Sequence, residues 1–242
     1  MNVFKDRTML LLVVSIVVAL VGIFLYISRL QSNLIETMAL QGTSLYCDML
    51  QEVRGAYTSE VVVRAQVGGT EVSHDYSTKE GAIPLPATFS MLVGTRVGER
   101  GDGSSTRLYS DFPFPWRKAE GGPKDDFERE ALQYLKQNPT KSYYRIGEFQ
   151  GRLSLRYARA DLMRFACIKC HNTHPSSPKT DWNVGDVRGV LEVVRPLDVA
   201  VIKSKSNLRE TAGLLGVIGI SGLLLLGVTI SKLRGSSEAL KK

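Results

Sequence analysis

Tyr143 to His171 reads YYRIGEFQGRLSLRYARADLMRFACIKCH. Tyr143–Phe149 and Arg152–Ala160 are two strand-like runs rich in aromatic and branched residues, separated by Gln150-Gly151. That pattern predicts a β-hairpin turning at Gln150-Gly151. Outward from it, Arg107–Ser110 and Val187–Val194 read as further short strands, the second closed by Pro196. Asp125–Gln137 reads as a helix, with acidic residues in its first turn and Asn138-Pro139 after it. Ile83–Val93 reads as a short helix following its prolines. Gly68–Tyr76 and Phe112–Pro123 carry the prolines, glycines and polar residues of turns and loops. From Arg29 to about Val67 there is no proline and only two glycines, so one long helix is expected there. Leu40, Thr43, Cys47, Leu50, Arg54, Tyr57 and Val61 recur at three and four and share one face of it, with Leu34, Met38, Leu45 and Met49 on a neighbouring stripe. The whole predicts an α+β domain: an antiparallel sheet packed on helices, one of them long and N-terminal.

Two uncharged apolar runs flank that domain. Met9–Ser28 and Thr211–Ile230 are each 20 residues long. A helix of that length crosses a hydrocarbon core of ~30 Å. A cleaved signal peptide is the alternative for the first run, but Arg29-Leu30-Gln31 follows it rather than a small-residue cleavage site. Lys5 and Arg7 precede the first run, and Lys232, Arg234, Lys241 and Lys242 follow the second. Short basic flanks stay in the cytoplasm. The expected organisation is therefore a cytoplasmic tail 1–8, a transmembrane helix 9–28, a periplasmic domain 29–210, a second transmembrane helix 211–230 and a cytoplasmic tail 231–242, in the inner membrane. The net charge of +7 does not imply nucleic acid. Six of the 31 basic and two of the 24 acidic residues lie in the tails, leaving 25 against 22 in the rest.

Cys167-Ile168-Lys169-Cys170-His171 is C-x-x-C-H, the signature of covalent haem c attachment. Two thiols three positions apart reach the two vinyl groups of one porphyrin, and the adjacent imidazole coordinates the iron. Two of the chain's three cysteines fall in the motif. Zinc is an alternative, with Cys167, Cys170, His171 or His174 and Cys47 as its four ligands. Thiol redox chemistry is another, but its C-x-x-C normally opens a helix in a βαβ unit.

Cys47 is the third cysteine and, on the face described above, points into the domain. It is a candidate for the iron's second axial position opposite His171, where a thiolate lowers the reduction potential. A buried structural thiol and a disulfide to a second copy are the alternatives. His174, His74, Met49, Met91 or an open position remain for the iron. Tyr143, Tyr144, Phe149, Tyr157, Phe165 and Trp182 are candidates to wall the haem, and Arg54, Arg156 and Arg164 to pair with its propionates.

Several segments resemble a family of periplasmic domains that carry haem c on a PAS-like fold. They are RGAYTSEVVV (Arg54–Val63), IPLPATF (Ile83–Phe89), SDFPFP (Ser110–Pro115), DDFEREAL (Asp125–Leu132), RYARADLMRFACIKCH (Arg156–His171) and GVLEVVRPL (Gly189–Leu197). The resemblance implies one haem packed between a PAS-like sheet and the long helix, and in some relatives a cysteine of that helix on the iron, matching Cys47. It also implies a redox or gas sensor, since relatives often precede signalling modules. Only 12 residues follow Ile230. A sensor would therefore act through a signalling partner, unless the sequence is a fragment of something longer, and an electron-transfer cytochrome of a membrane complex is the alternative. No constellation of acid, base and nucleophile points to an enzyme, and parallel membrane helices are compatible with a homodimer.

Overall fold

The computed structural model describes residues 2–101 and 103–239. The side chains of Lys5 and Arg234, and the whole of Lys241 and Lys242, lie outside the described residues.

Helix α1 runs from Asn2 to Ala56, passes into a π-helical turn at Tyr57–Val62 and ends as a short α2, Val63–Val67. The chain continues through β1 (Val72–Ser73), β2 (Ile83–Pro84), α3 (Pro86–Arg100), β3 (Ser105–Tyr109), α4 (Asp126–Gln137), β4 (Ser142–Phe149), β5 (Arg152–Leu162), α5 (Phe165–Thr173), β6 (Val187–Pro196) and α6 (Asp198–Ala239). It divides into two units.

The first unit is α1 up to Thr37 together with α6 from Val199. Both helices are long and apolar enough to cross a membrane. Their apolar side chains point outward: Leu11 and Leu225 are each 69% exposed, which distinguishes them from the core helices of a soluble protein. The helices meet where Ser204 Oγ donates to Gln31 Oε1 at 2.9 Å and where Leu20 packs at Gly219. A Cβ on Gly219 would stand 2.8 Å from Leu20 Cδ1, so glycine allows the close approach.

The second unit, Met38–Asp198, is built on one four-stranded antiparallel sheet of order β3-β6-β5-β4. The hairpin of β4 and β5 turns at Gln150 (φ 50°) and Gly151 (φ 75°), the paired positive φ values that match strand twist in a two-residue turn. Side chains alternate along β5 and sort the helices onto the two faces of the sheet. Ala158 and Ala160 face α4, where Phe127, Ala131, Leu132 and Leu135 close a core with Tyr109 and Val190. The stagger of these α4 residues is the apolar stripe of an amphipathic helix. Asp125 caps it by accepting from the Glu128 N–H at 2.9 Å. Tyr157, Arg159 and Asp161 face α1, where they meet Ser44, Asp48 and Arg54 in turn. Gln51 Nε2 also donates to the Ala160 carbonyl, so α1 lies along β5 and runs the same way. On this face α3 covers β3 through Gly94, at which a Cβ would crowd Thr106.

The long helix, the hairpin, α4 and the outer strands match the sequence expectations to within a few residues. Three features differ. Ile83–Val93 splits into β2, paired in parallel with β1, and a longer helix α3. The C-x-x-C-H motif, for which no element was expected, lies within a helix, α5. The expected apolar face of α1 holds at Thr43, Cys47 and Leu50, all buried, but Val61 is 45% exposed while Thr58 and Val62 are buried. The π-helical turn is the reason: its wider turn adds a residue and rotates everything beyond it by one position.

Candidate functional site

On α5, Cys167, Cys170 and His171 stand at i, i+3 and i+4, which places them on one face of the helix. That face borders a cavity of about 690 Å³. The end of α1 and the π-helical turn also line it, with Arg54, Thr58 and Val62. His74 next to β1, Phe112, Phe114 and Trp116 after β3, His174 after α5, and Asp161 and Arg188 from the sheet complete it. All three of the chain's histidines and two of its three cysteines therefore line one cavity.

The rings form a continuous band. His74 stacks on Trp116 at 4.4 Å and Trp116 on Phe114 at 4.6 Å, while Phe114 meets His171 and His174 edge-on at 5.2 and 5.5 Å. Such contacts fix ring orientations and keep the wall apolar.

Below the band lies a buried ion cluster. Asp161, with a side chain 3% exposed, accepts from Arg54 on one oxygen and from Arg188 on the other. Burial pushes the Asp161 carboxyl up, but the two guanidiniums outweigh it and hold it at about 2. A register irregularity aims Arg188 there. Asp161 pairs with Gly189 but Leu162 pairs with Val187, so Arg188 is the extra residue of a β-bulge. In regular pairing it would face α4 with Leu162; the bulge turns it to the Asp161 side. One extra residue in the helix and one in the strand thus both shape the lining of the same cavity.

Arg188 Nη1 also stands 3.0 Å from His171 Nε2. A guanidinium only donates, so Nε2 presents its lone pair and the ring proton sits on Nδ1. Burial, then the Arg188 charge, lowers the His171 pKa to about 3, so the imidazole is neutral, the form that ligates a metal. Cys170 is exposed on one side, yet desolvation by the surrounding protein raises its thiol above its ordinary value, with Cys167 adding to the effect. A redox-active nucleophilic cysteine needs the reverse shift. Location in a helix removes one ground for setting thiol redox chemistry aside; the all-antiparallel main sheet, with no βαβ unit, keeps the other.

Cys47 does not line this cavity. Its side chain is 0% exposed, two helical turns before Arg54 and under the sheet, beside the Asp48–Arg159 pair. Burial pushes its thiol up to about 12, so it is a neutral thiol. Among the described residues no group of three or more His, Cys, Asp or Glu side chains is arranged to hold a metal ion, which leaves the four-ligand zinc arrangement without support.

The other candidates sort as clearly. Arg54 is on the wall. Arg156 lies on the α4 face, bound to Asp125 at 2.6 Å and Glu192 at 2.7 Å. Arg164 sits at the rim with Glu52 at 2.9 Å. Tyr143 packs on the α4 core and Phe165 is 86% exposed; neither walls the cavity, nor do Tyr144, Phe149, Tyr157, Trp182, Met49 or Met91. Sequence reasoning missed Phe112, Phe114, Trp116 and Arg188. The first two fall within the SDFPFP run, the one signal that singled them out.

A family model, Tll0287-like, matches residues 31–196. The chain belongs to the Tll0287-like family. The Tll0287-like segment spans every cavity residue named above, from Arg54 to Arg188, and nearly coincides with the second compact unit. No curated protein and no solved structure matches the chain.

Proposed function

We propose that this chain is a membrane-anchored domain of PAS-like fold that carries one covalent haem c in this cavity and acts as a redox- or gas-responsive sensor on the periplasmic side. The observation behind this reading is the gathering of Cys167, Cys170 and every histidine on one cavity. Its volume falls in the ~300–1,000 Å³ range of cofactor and ligand sites. Cys167 and Cys170, both presented on one helix face, would hold the group through thioether bonds, each S–H adding across one vinyl double bond. His171 would hold the iron through its Nε2 lone pair, which the Arg188 guanidinium would then leave free. The aromatic band excludes water from that side. Haem, when bound, supplies an iron centre that changes oxidation state or takes a small ligand.

The sensor reading is supported by the wall that the end of α1 contributes. It is a π-helical turn, a geometry frequent at functional sites. It belongs to the helix whose N-terminal part is apolar enough to cross a membrane. Electron transfer is the second reading, favoured by the exposure of Cys170, which would bring an edge of the group near solvent. Hydrogen exchange of residues 54–66 in the oxidised and reduced holoprotein separates them. The sensor reading expects different protection in the two states. Equal protection, with rapid exchange of electrons with a soluble carrier, sinks it in favour of electron transfer.

A further inference from the structure

Two guanidiniums, Arg54 and Arg188, share the single carboxylate of Asp161, and all three border the cavity. Their side chains are 12% and 17% exposed, and that of Asp161 is 3% exposed. The cluster therefore holds one positive charge in excess in a poorly solvated wall, where an unbalanced charge is costly. Among the described residues, nearby groups do not balance it. Glu52 is engaged by Arg164 and Glu60 by Arg64. Arg117, the remaining cavity arginine, donates to the Leu108 carbonyl and lies against Met91 Sδ. His174 Nδ1 accepts from the Ser176 N–H.

We propose that Arg54 and Arg188 form a carboxylate-binding subsite of the cavity, and that the carboxylates it takes are the propionate side chains of haem. The proposal rests on the haem reading above. A planar fork of N–H donors suits a carboxylate, and the excess charge supplies the attraction. Arg188 also links the two functions of the wall. With Nε2 on iron, the Nη1 atom that here donates to His171 Nε2 would be free to serve the subsite. Arg188 is a positioning residue on this account: it holds the imidazole lone pair turned into the cavity until a metal takes it.

The test is the midpoint potential of the full-length holoprotein from pH 5 to 8, with covalent haem measured beside it. A propionate next to two arginines stays ionised over this range, so the wild-type potential is flat. Arg54→Gln and Arg188→Gln move the propionate titration up by about one to three pH units, and the potential then rises as pH falls. Arg117→Gln, at the same cavity but otherwise engaged, leaves the profile flat. If Arg188→Gln carries no haem, Arg54→Gln, which leaves the His171 contact in place, decides alone. Haem attached with flat profiles in both variants overturns the subsite and spares the haem reading. No covalent haem in the wild type overturns both. Added acetate at high concentration leaves the wild-type profile unchanged; a profile that responds to it assigns the arginines to a free carboxylate and overturns the propionate assignment.

Discussion

Arg188 Nη1 lies 3.0 Å from His171 Nε2, and the same guanidinium is anchored on Asp161. The orientation of the one histidine in the C-x-x-C-H motif is thus tied to a buried carboxylate on the neighbouring strand.

Asp161→Asn should break this tie. Removing the only carboxylate between two buried arginines costs about 3–5 kcal/mol, read by denaturant unfolding in detergent. The carboxyl is held at about 2, below its unfolded value. Its stabilising contribution is therefore present above the unfolded pKa of roughly 4 and is lost as pH falls through about 2. Wild type should lose more stability than the variant on acidification across this window. An equal loss contradicts the assignment.

Glu192 carries the opposite dependence. It is fully buried, bound to Arg156 through one oxygen, with the other oxygen unpartnered. Burial raises its pKa to about 7, against the pull of Arg156 and with the help of Glu128 and Asp125. A raised carboxyl contributes stability below its unfolded pKa and loses it as pH rises through the folded one. The wild-type thermal midpoint should fall between pH 5 and 8, and Glu192→Gln should flatten that fall. A steeper fall in the variant would reverse the sign.

Cys47→Ala should leave the visible spectra of the oxidised and reduced protein unchanged, since the thiol lies off the cavity. It should cost about 1–2 kcal/mol as a buried truncation. A change from low-spin to high-spin ferric iron would place Cys47 on the metal after all.

Gly98→Ala tests the α3–β3 packing. A Cβ there would overlap the Ser104 carbonyl backbone. Overpacking against backbone costs about 1–3 kcal/mol, seen as a lower denaturation midpoint with the motif residues untouched.

What the sequence revealed follows physical range. The hairpin was legible because its alternation and its turn are local, and α4 because its capping and apolar stagger fall within 12 residues. The apolar runs were legible by length alone. Cys167, Cys170 and His171 were legible because their chemistry fixes their spacing. Arg188 was not, since its direction depends on a bulge set by cross-strand register with Asp161 and Leu162. Val61 was assigned to the buried face because a π-helical turn leaves no mark in a heptad-like pattern. Cys47 shows the remaining gap: periodicity correctly buries it, but not which buried neighbours it meets. His74 falls in a stretch that reads as turn, and only the fold brings it to Trp116.

The central claim is covalent haem on α5. The direct test is expression of the full chain with a cytochrome c maturation apparatus, followed by a denaturing gel stained for haem. The account predicts a haem signal that migrates with the wild-type polypeptide and is abolished in Cys167→Ala/Cys170→Ala. A wild-type band that carries no haem under maturation conditions would contradict it.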